Sequence, residues 1–331
     1  MNGAPPDDVI TFHDVGKTFG DTWVLEHMSF SLSPGTILGL IGPSGCGKTT
    51  TVRIANGFHR PDAGDVTIFG TAPTELDPVD RTRIGYLPQH PVLFDTLSLR
   101  ENLNFHASLN GVRFSRKRRV ADLLELVDLE DDERKLVSEA SGGMKRRLAL
   151  AGALVHGPDV LMLDEPTAGI DPILRRRFWE LFRMLRDSCS ALVVSSQFVD
   201  EASICDVVAM LAHGRVAALG SPGDLLHRAR GGTLYDLQFD HVLRYDFVRR
   251  LREHASVSAV VHDAEDALSV TVSNDAPPIG ELCESIEPGT RPAAASERPP
   301  DWDEVFIALV GDDASDDVAT IADSRISEAA R

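Results

Sequence analysis

Gly42-Pro43-Ser44-Gly45-Cys46-Gly47-Lys48-Thr49-Thr50 comes directly after the apolar run Ile37-Leu38-Gly39-Leu40-Ile41, and this junction decides how the rest of the chain is read. The apolar run is short enough for a buried strand. The stretch from Gly42 fits a phosphate-binding loop: a glycine, a variable stretch, then Gly-Lys-Thr opening a helix. Gly42, Gly45 and Gly47 let the backbone fold back so that successive N–H groups point at phosphate oxygens. The helix beginning near Lys48 adds its positive dipole end. In such a loop Lys48 reaches the β- and γ-phosphates and the Thr49 hydroxyl helps to hold Mg²⁺. Ser44, Cys46 and Thr50 belong to the same cradle. By itself the loop suits a kinase, a GTPase or a motor, so the rest of the chain must say what the nucleotide is for.

A chain of 331 residues with 43% apolar side chains can supply one large domain and a smaller one. No run approaches the roughly 18 to 20 apolar residues of a membrane span, and the first residues are polar and acidic, so a cytosolic chain is expected. The four cysteines, Cys46, Cys189, Cys205 and Cys283, are widely separated and suggest neither a zinc site nor a disulfide framework. A formal charge of −18 argues against an extended nucleic-acid surface, which needs a concentrated positive face.

Residues 9–33 alternate short apolar stretches with turns and read as antiparallel strands leading into the loop strand. Phe19 is a candidate for stacking on a nucleotide base, and an ordinary half-buried strand aromatic is the competing reading. Strands are expected over residues 65–70 and 84–89, the second ending at Gln89. From about 97 to 154 the pattern turns helical. Ser98 and Glu101 have capping-box spacing, and Val120, Leu123, Leu124 and Val127 share one helix face. The basic residues Arg113, Arg116, Lys117, Arg118 and Arg119 read as a solvated helix start.

Ser141-Gly142-Gly143 opens another helix and offers a second anion site at a helix N-terminus. Val160-Leu161-Met162-Leu163-Asp164-Glu165 is an apolar run ending in two carboxylates, as when a buried parallel strand delivers acids to the edge where ligands bind. Asp164 can orient Mg²⁺ and Glu165 can polarise an attacking water. The strand at 191–195 brings Ser196 and Gln197 to the same edge, and a hairpin over 207–219, with His213-Gly214 at its turn, closes the first domain.

Taken together these residues resemble the nucleotide-binding subunit of ABC transporters, from residue 9 to about 228. The loop matches Walker A; Gln89 matches the Q-loop; Ala140-Ser141-Gly142-Gly143-Met144 matches the signature turn. Asp164 and Glu165 match Walker B and its catalytic glutamate, and Ala168-Gly169-Ile170-Asp171 resembles the D-loop. Phe19 sits where that family places an adenine-stacking aromatic. The signature departs from Leu-Ser-Gly-Gly-Gln at Ala140 and Met144. The switch position, usually histidine, is Gln197, and no histidine lies between His156 and His213 to replace it. A neutral amide can donate a hydrogen bond to the γ-phosphate but cannot become a cation. These departures, with Pro300-Asp301-Trp302-Asp303-Glu304-Val305-Phe306, resemble the ATPase subunits of daunorubicin-type drug-resistance exporters.

The resemblance implies an α/β fold: a P-loop (RecA-like) core with an antiparallel β subdomain and a helical signature subdomain at about 97–154, within an ATPase domain at 1–230. A small C-terminal α+β domain at 231–310 and an acidic, disordered tail at 311–331 complete the expected organisation, with residues 287–300 as a linker. The resemblance also implies ATP and Mg²⁺, the metal held by Thr49, Gln89 and Asp164, with Lys48, Glu165 and Gln197 in catalysis. It implies a homodimer in which Ser141, Gly142 and Gly143 of one chain cover the γ-phosphate held by Lys48 of the other. The expected partner is a separate integral membrane permease, placing the chain in the cytoplasm on the inner face of the membrane, with no nucleic acid bound. A soluble ABC-type ATPase acting on nucleic acid or ribosomes is the alternative; the single copy of each motif, the lack of coiled-coil heptads and the negative charge oppose it.

Overall fold

A computed structural model describes residues 8–112, 116–187, 191–229, 232–273, 275–298 and 301–311. Arg113, Cys189, Pro300 and the tail from residue 312 lie outside the described residues. The chain divides into two compact units, residues 1–222 with 310–331, and residues 223–309.

In chain order the first unit begins with strands β1 (Ile10–Phe19), β2 (Thr22–Leu32) and β3 (Thr36–Ile41), followed by helix α1 (Lys48–Ala55) and strand β4 (Ala63–Ile68). A short helix α2 (Pro78–Arg81) precedes β5 (Ile84–Leu87). Helices α3 (Leu99–Leu109), α4 (Arg116–Leu126) and α5 (Gly142–Leu154) come next, then β6 (Val160–Asp164), α6 (Pro172–Arg186) and β7 (Ala191–Ser196). A 3₁₀ turn at Val199–Ile204 leads to the hairpin β8 (Val207–Ala212) and β9 (Arg215–Gly220); α7 (Pro222–Ala229), which follows, belongs to the second unit from Gly223 onward.

A six-stranded sheet runs β5-β6-β7-β3-β8-β9, parallel except for the β8–β9 hairpin. Every residue of β6 and β7 is buried, which is why these strands read as unbroken apolar runs rather than as alternating ones. The separate β2-β1-β4 sheet is antiparallel and shares its core with the first. Phe12 and Phe30 stack at 4.5 Å in a cluster that also holds Leu38, Leu40, Val52 and Val193. Ser98 caps α3 with the full capping box, its hydroxyl accepting from Glu101 N–H while the Glu101 carboxylate accepts from Ser98 N–H.

The sheet order positions the site. β7 lies between β3 and β6, with Leu40 opposite Ser195 and Ser195 opposite Asp164, so the C-terminal ends of the three strands meet at one edge. That edge is where open parallel sheets bind ligands. β5 stops at Leu87, short of Gln89, because Pro88 has no N–H to continue a ladder. Gln89 therefore sits in a loop beyond the strand.

The second unit holds β10 (Thr233–Gln238), α8 (Tyr245–Arg252), β11 (Val257–Ala264), β12 (Ala267–Val272), α9 (Ile279–Ile286), β13 (Ala294–Arg298) and most of α10 (Trp302–Val310). Its antiparallel sheet runs β11-β12-β10-β13 around a core containing Phe239, Phe247, Leu251, Val270 and Leu282. The segment expected as a linker contains a strand: Ala294–Arg298 pairs with β10, a backbone interaction that Ala-Ala-Ser-Glu-Arg does not advertise in its composition.

Candidate active site

The loop between β3 and α1 turns back through Gly45 and Gly47, at φ of 84° and 108°, in the left-handed region that favours glycine. Two of the loop glycines are also crowded. A Cβ on Gly42 would lie 2.2 Å from the Leu211 carbonyl oxygen, and one on Gly47 would lie 2.4 Å from Leu25 Cδ2. Gly47 precedes α1 with no side-chain cap, which leaves the first N–H groups of that helix for an anion. Cys46 is buried, and its sulfur lies 2.9 Å from where a Gly42 Cβ would be, so its side chain packs beneath the loop. Ser44 and Gly45 are exposed, and Thr50 is half-buried in the first turn of α1.

Lys48 is 3% exposed. Its ammonium donates to the carbonyl oxygens of Gly42 and Pro43, each at 2.8 Å, and lies 3.5 Å from Glu165 Oε1. The Thr49 hydroxyl donates to Asp164 Oδ1 at 3.1 Å, and the Ser195 hydroxyl donates to the same oxygen at 2.7 Å. Ser195 Oγ also accepts the Glu165 backbone N–H at 2.8 Å. Gln89 Nε2 donates to Glu165 Oε2 at 2.9 Å, and the Ser44 hydroxyl donates to Gln197 Oε1 at 3.1 Å. The segments after β3, β5, β6 and β7 thus meet at the sheet edge, joined through side chains of opposite role.

Asp164 is fully buried, and among the described residues its Oδ2 has no hydrogen-bond partner. A buried carboxylate oxygen left this way is costly unless a cation or its water shell meets it. With Thr49 beside it and Gln89 across the cleft, the donors are hard oxygens. That set fits Mg²⁺, which takes few protein ligands and completes its shell with water and substrate phosphate.

Glu165 itself has a backbone φ of 47°, uncommon for a residue with a side chain. Both of its peptide groups are held. Ser195 takes the N–H, and the guanidinium of Arg146 donates to the carbonyl oxygens of Glu165, Asp164 (3.3 Å), Pro166 (3.0 Å) and Gln89 (2.7 Å). Burial pulls the Arg146 pKa below the ordinary arginine value, against the opposing pull of the Asp164 and Glu165 charges. Neither Ser195 nor Arg146 belongs to a sequence motif of the site. Ser195 looks like one more strand residue, and Arg146 looks like a surface charge in Lys145-Arg146-Arg147. One cue exists for Arg146: it shares a helix face with Leu150 and Ala153, both buried.

Other expected site residues lie apart from this cluster. Ser141 caps α5 and accepts the Met144 N–H at 3.3 Å, so its hydrogen bonds stay within that helix. Ser141 and Gly142 are exposed, and a Cβ on Gly142 would meet nothing within 4 Å. Phe19, 47% exposed at the end of β1, sits edge-on to His59 at 5.3 Å with the Lys17 ammonium 5.6 Å from its ring. Asp171 caps α6 by accepting from Ile173 and Leu174 N–H, and this ends the turn that begins at Glu165.

A parallel sheet presenting this loop, this carboxylate pair and an open Ser-Gly-Gly helix start defines an ABC-type ATPase, and residues 25–168 match the ABC transporter family. The chain is 35% identical over 319 residues to Nod factor export ATP-binding protein I of Burkholderia orbicola (strain AU 1054), covering 96% of this chain and 100% of that one. It is 36% identical over 321 residues to Daunorubicin resistance ATP-binding protein DrrA3 of Streptomyces coeruleorubidus, covering 93% and 97%. A solved structure described as the ATP binding subunit of an ABC transporter superposes with a TM-score of 0.60 at 27% identity, over 66% of this chain and 92% of that one. The chain belongs to the ATP-binding, ATP-hydrolysing subunits of ABC transporters. It is similar to members that serve drug resistance and export.

Proposed function

We propose that this chain drives export of drug-like or lipophilic molecules by closing, with a second copy, over ATP and opening after hydrolysis, and that it acts on a separate integral membrane permease. One observation carries the sandwich: among the described residues Ser141 and Gly142 stand exposed and bonded only within their own helix, while the cluster around Lys48, Asp164 and Glu165 offers phosphate contacts from one side. Exposed glycine at a helix start, with nothing in its own chain requiring it, suits close approach by another molecule. The exporter reading rests on similarity to drug-resistance and Nod factor export proteins along more than nine-tenths of the chain.

In this reading the loop N–H groups and Lys48 bind the β- and γ-phosphates, and Phe19 supports the base. Thr49 and Asp164, with Gln89, would hold Mg²⁺, which would neutralise charge on the phosphates. Glu165 orients and polarises the attacking water. Gln89 fixes the direction of its carboxylate from one oxygen, and Lys48 faces the other. Gln197, hydrogen-bonded to Ser44 of the loop, contributes a γ-phosphate contact without changing charge. Positioning and charge neutralisation supply most of the rate.

Among the described residues no helix is long and apolar enough to cross a membrane; similarity to export and drug-resistance ATP-binding proteins supports a separate permease that would hold the chain on the inner face. A cleft of about 330 Å³ between β5 and the helical segment, lined by Leu87, Val92, Leu93, His106 and Ala149, offers that partner a surface. Membrane association that depends on a co-expressed permease tests the assignment; co-sedimentation with ribosomes instead would overturn it.

The signature turn gives a cleaner test. Gly142→Ala has room in the single chain, and alanine is the better helix former by roughly 1 kcal/mol, so monomer stability should hold or rise slightly. ATP hydrolysis should nevertheless fall sharply, because the added methyl meets the second chain. Unfolding curves and turnover measured on one preparation decide it, and parent-level turnover would contradict the sandwich. For Gln197→Ala the expected loss is smaller, less than about tenfold, since one neutral hydrogen bond is removed. Steady-state turnover indistinguishable from the parent would show that the Gln197 contact has no function.

A further inference from the structure

Arg146 is 8% exposed, and among the described residues its guanidinium bonds no carboxylate; its donors go to the carbonyl oxygens of Gln89, Asp164, Glu165 and Pro166. These belong to separate parts of the machinery, the segment after β5 and the turn after β6. The side chain that reaches them grows from the second turn of α5, the helix that Ser141 and Gly142 begin.

From this we infer that Arg146 is the positioning residue for hydrolysis: it holds the Glu165 backbone in its left-handed conformation and locks that turn and the Gln89 loop to the signature helix. It acts through these carbonyl oxygens. Glu165 stands at φ of 47°, and such a backbone persists when its surroundings over-determine it. Ser195 secures the N–H side at 2.8 Å, and the carbonyl side is held by Arg146 together with the Ala168 N–H at 3.2 Å. Because Gln89 Nε2 aims the Glu165 carboxylate while Arg146 holds the Gln89 carbonyl, one guanidinium governs both the general base and the group that aligns it. A planar fork with several fixed donors can span these acceptors, whereas an ammonium is a single point charge.

The inference rests on Glu165 acting in hydrolysis, and the test keeps the two claims separable. Arg146→Lys and Arg146→Gln are compared with the parent for ATP affinity by equilibrium titration and for turnover, each alone and combined with Glu165→Gln. Both single variants should bind ATP within about twofold of the parent and lose turnover on the order of 10²-fold, the cost of misplacing a reacting group by about 1 Å. Lysine should not rescue. In the Glu165→Gln background, adding Arg146→Gln should cause little further loss, because residues acting as one unit are non-additive. Parent-like turnover, a loss that multiplies with that of Glu165→Gln, or ATP binding and folding lost in parallel with turnover in both variants would each overturn the positioning role. If Glu165→Gln itself turns over like the parent, the assignment of Glu165 fails first and is seen to fail separately.

Discussion

Glu165→Gln should reduce ATP hydrolysis by about 10²–10⁴-fold while ATP binding stays near the parent value. The amide has the same shape, so it can still accept from Gln89 Nε2, and the Lys48 ammonium keeps its bonds to the Gly42 and Pro43 carbonyls within the loop. What is lost, in the proposed mechanism, is the negative charge that polarises water. Its loss also removes repulsion between a carboxylate and a γ-phosphate brought close to it, which favours the closed pair. The ATP-bound variant should therefore run as a dimer in size-exclusion chromatography with light scattering, and the nucleotide-free variant as a monomer. Turnover at the parent rate would remove Glu165 from its role.

Lys48→Ala should be comparably severe, with turnover down by about 10²–10³-fold, the cost of removing one preorganised donor aimed at developing charge. Unlike Glu165→Gln, it should also weaken ATP binding. Lys48 is the cation nearest Glu165 at 3.5 Å among the described ion pairs, and its ammonium lies inside the loop, on the carbonyls of Gly42 and Pro43. Alanine therefore removes the charge proposed to meet the phosphates and leaves the buried Glu165 carboxylate with Gln89 but without its ion-pair partner. Titration with a fluorescent ATP analogue separates the two variants: retained affinity in Lys48→Ala would mean that the backbone N–H groups alone hold the nucleotide.

Much of the site is legible in the sequence because its parts are local. Gly42 to Thr50 carries its own geometry, and Val160 to Glu165 carries both its burial and its acids, so strand, loop and carboxylates can be read without knowing what lies beside them. Sheet order brings them together, and the uninterrupted apolar character of β3, β6 and β7 already indicates a parallel sheet. The contacts that tune these parts are long-range and hidden. Ser195 bridges Asp164 and Glu165 across β7 only because the register sets it opposite Asp164. Arg146 is one charge in a basic run until the fold turns it inward. In the second unit, β13 depends on backbone pairing with β10 rather than on side-chain pattern, and a Pro- and Ala-rich stretch hides it.

In the proposed sandwich a complete site needs two chains. Mixing a Ser141→Arg chain, whose loop is intact, with a Lys48→Ala chain, whose signature turn is intact, should produce one whole site per mixed dimer. The mixture should hydrolyse ATP although neither chain does so alone. If both chains are folded and the mixture stays as inactive as its components, the two-chain site is contradicted.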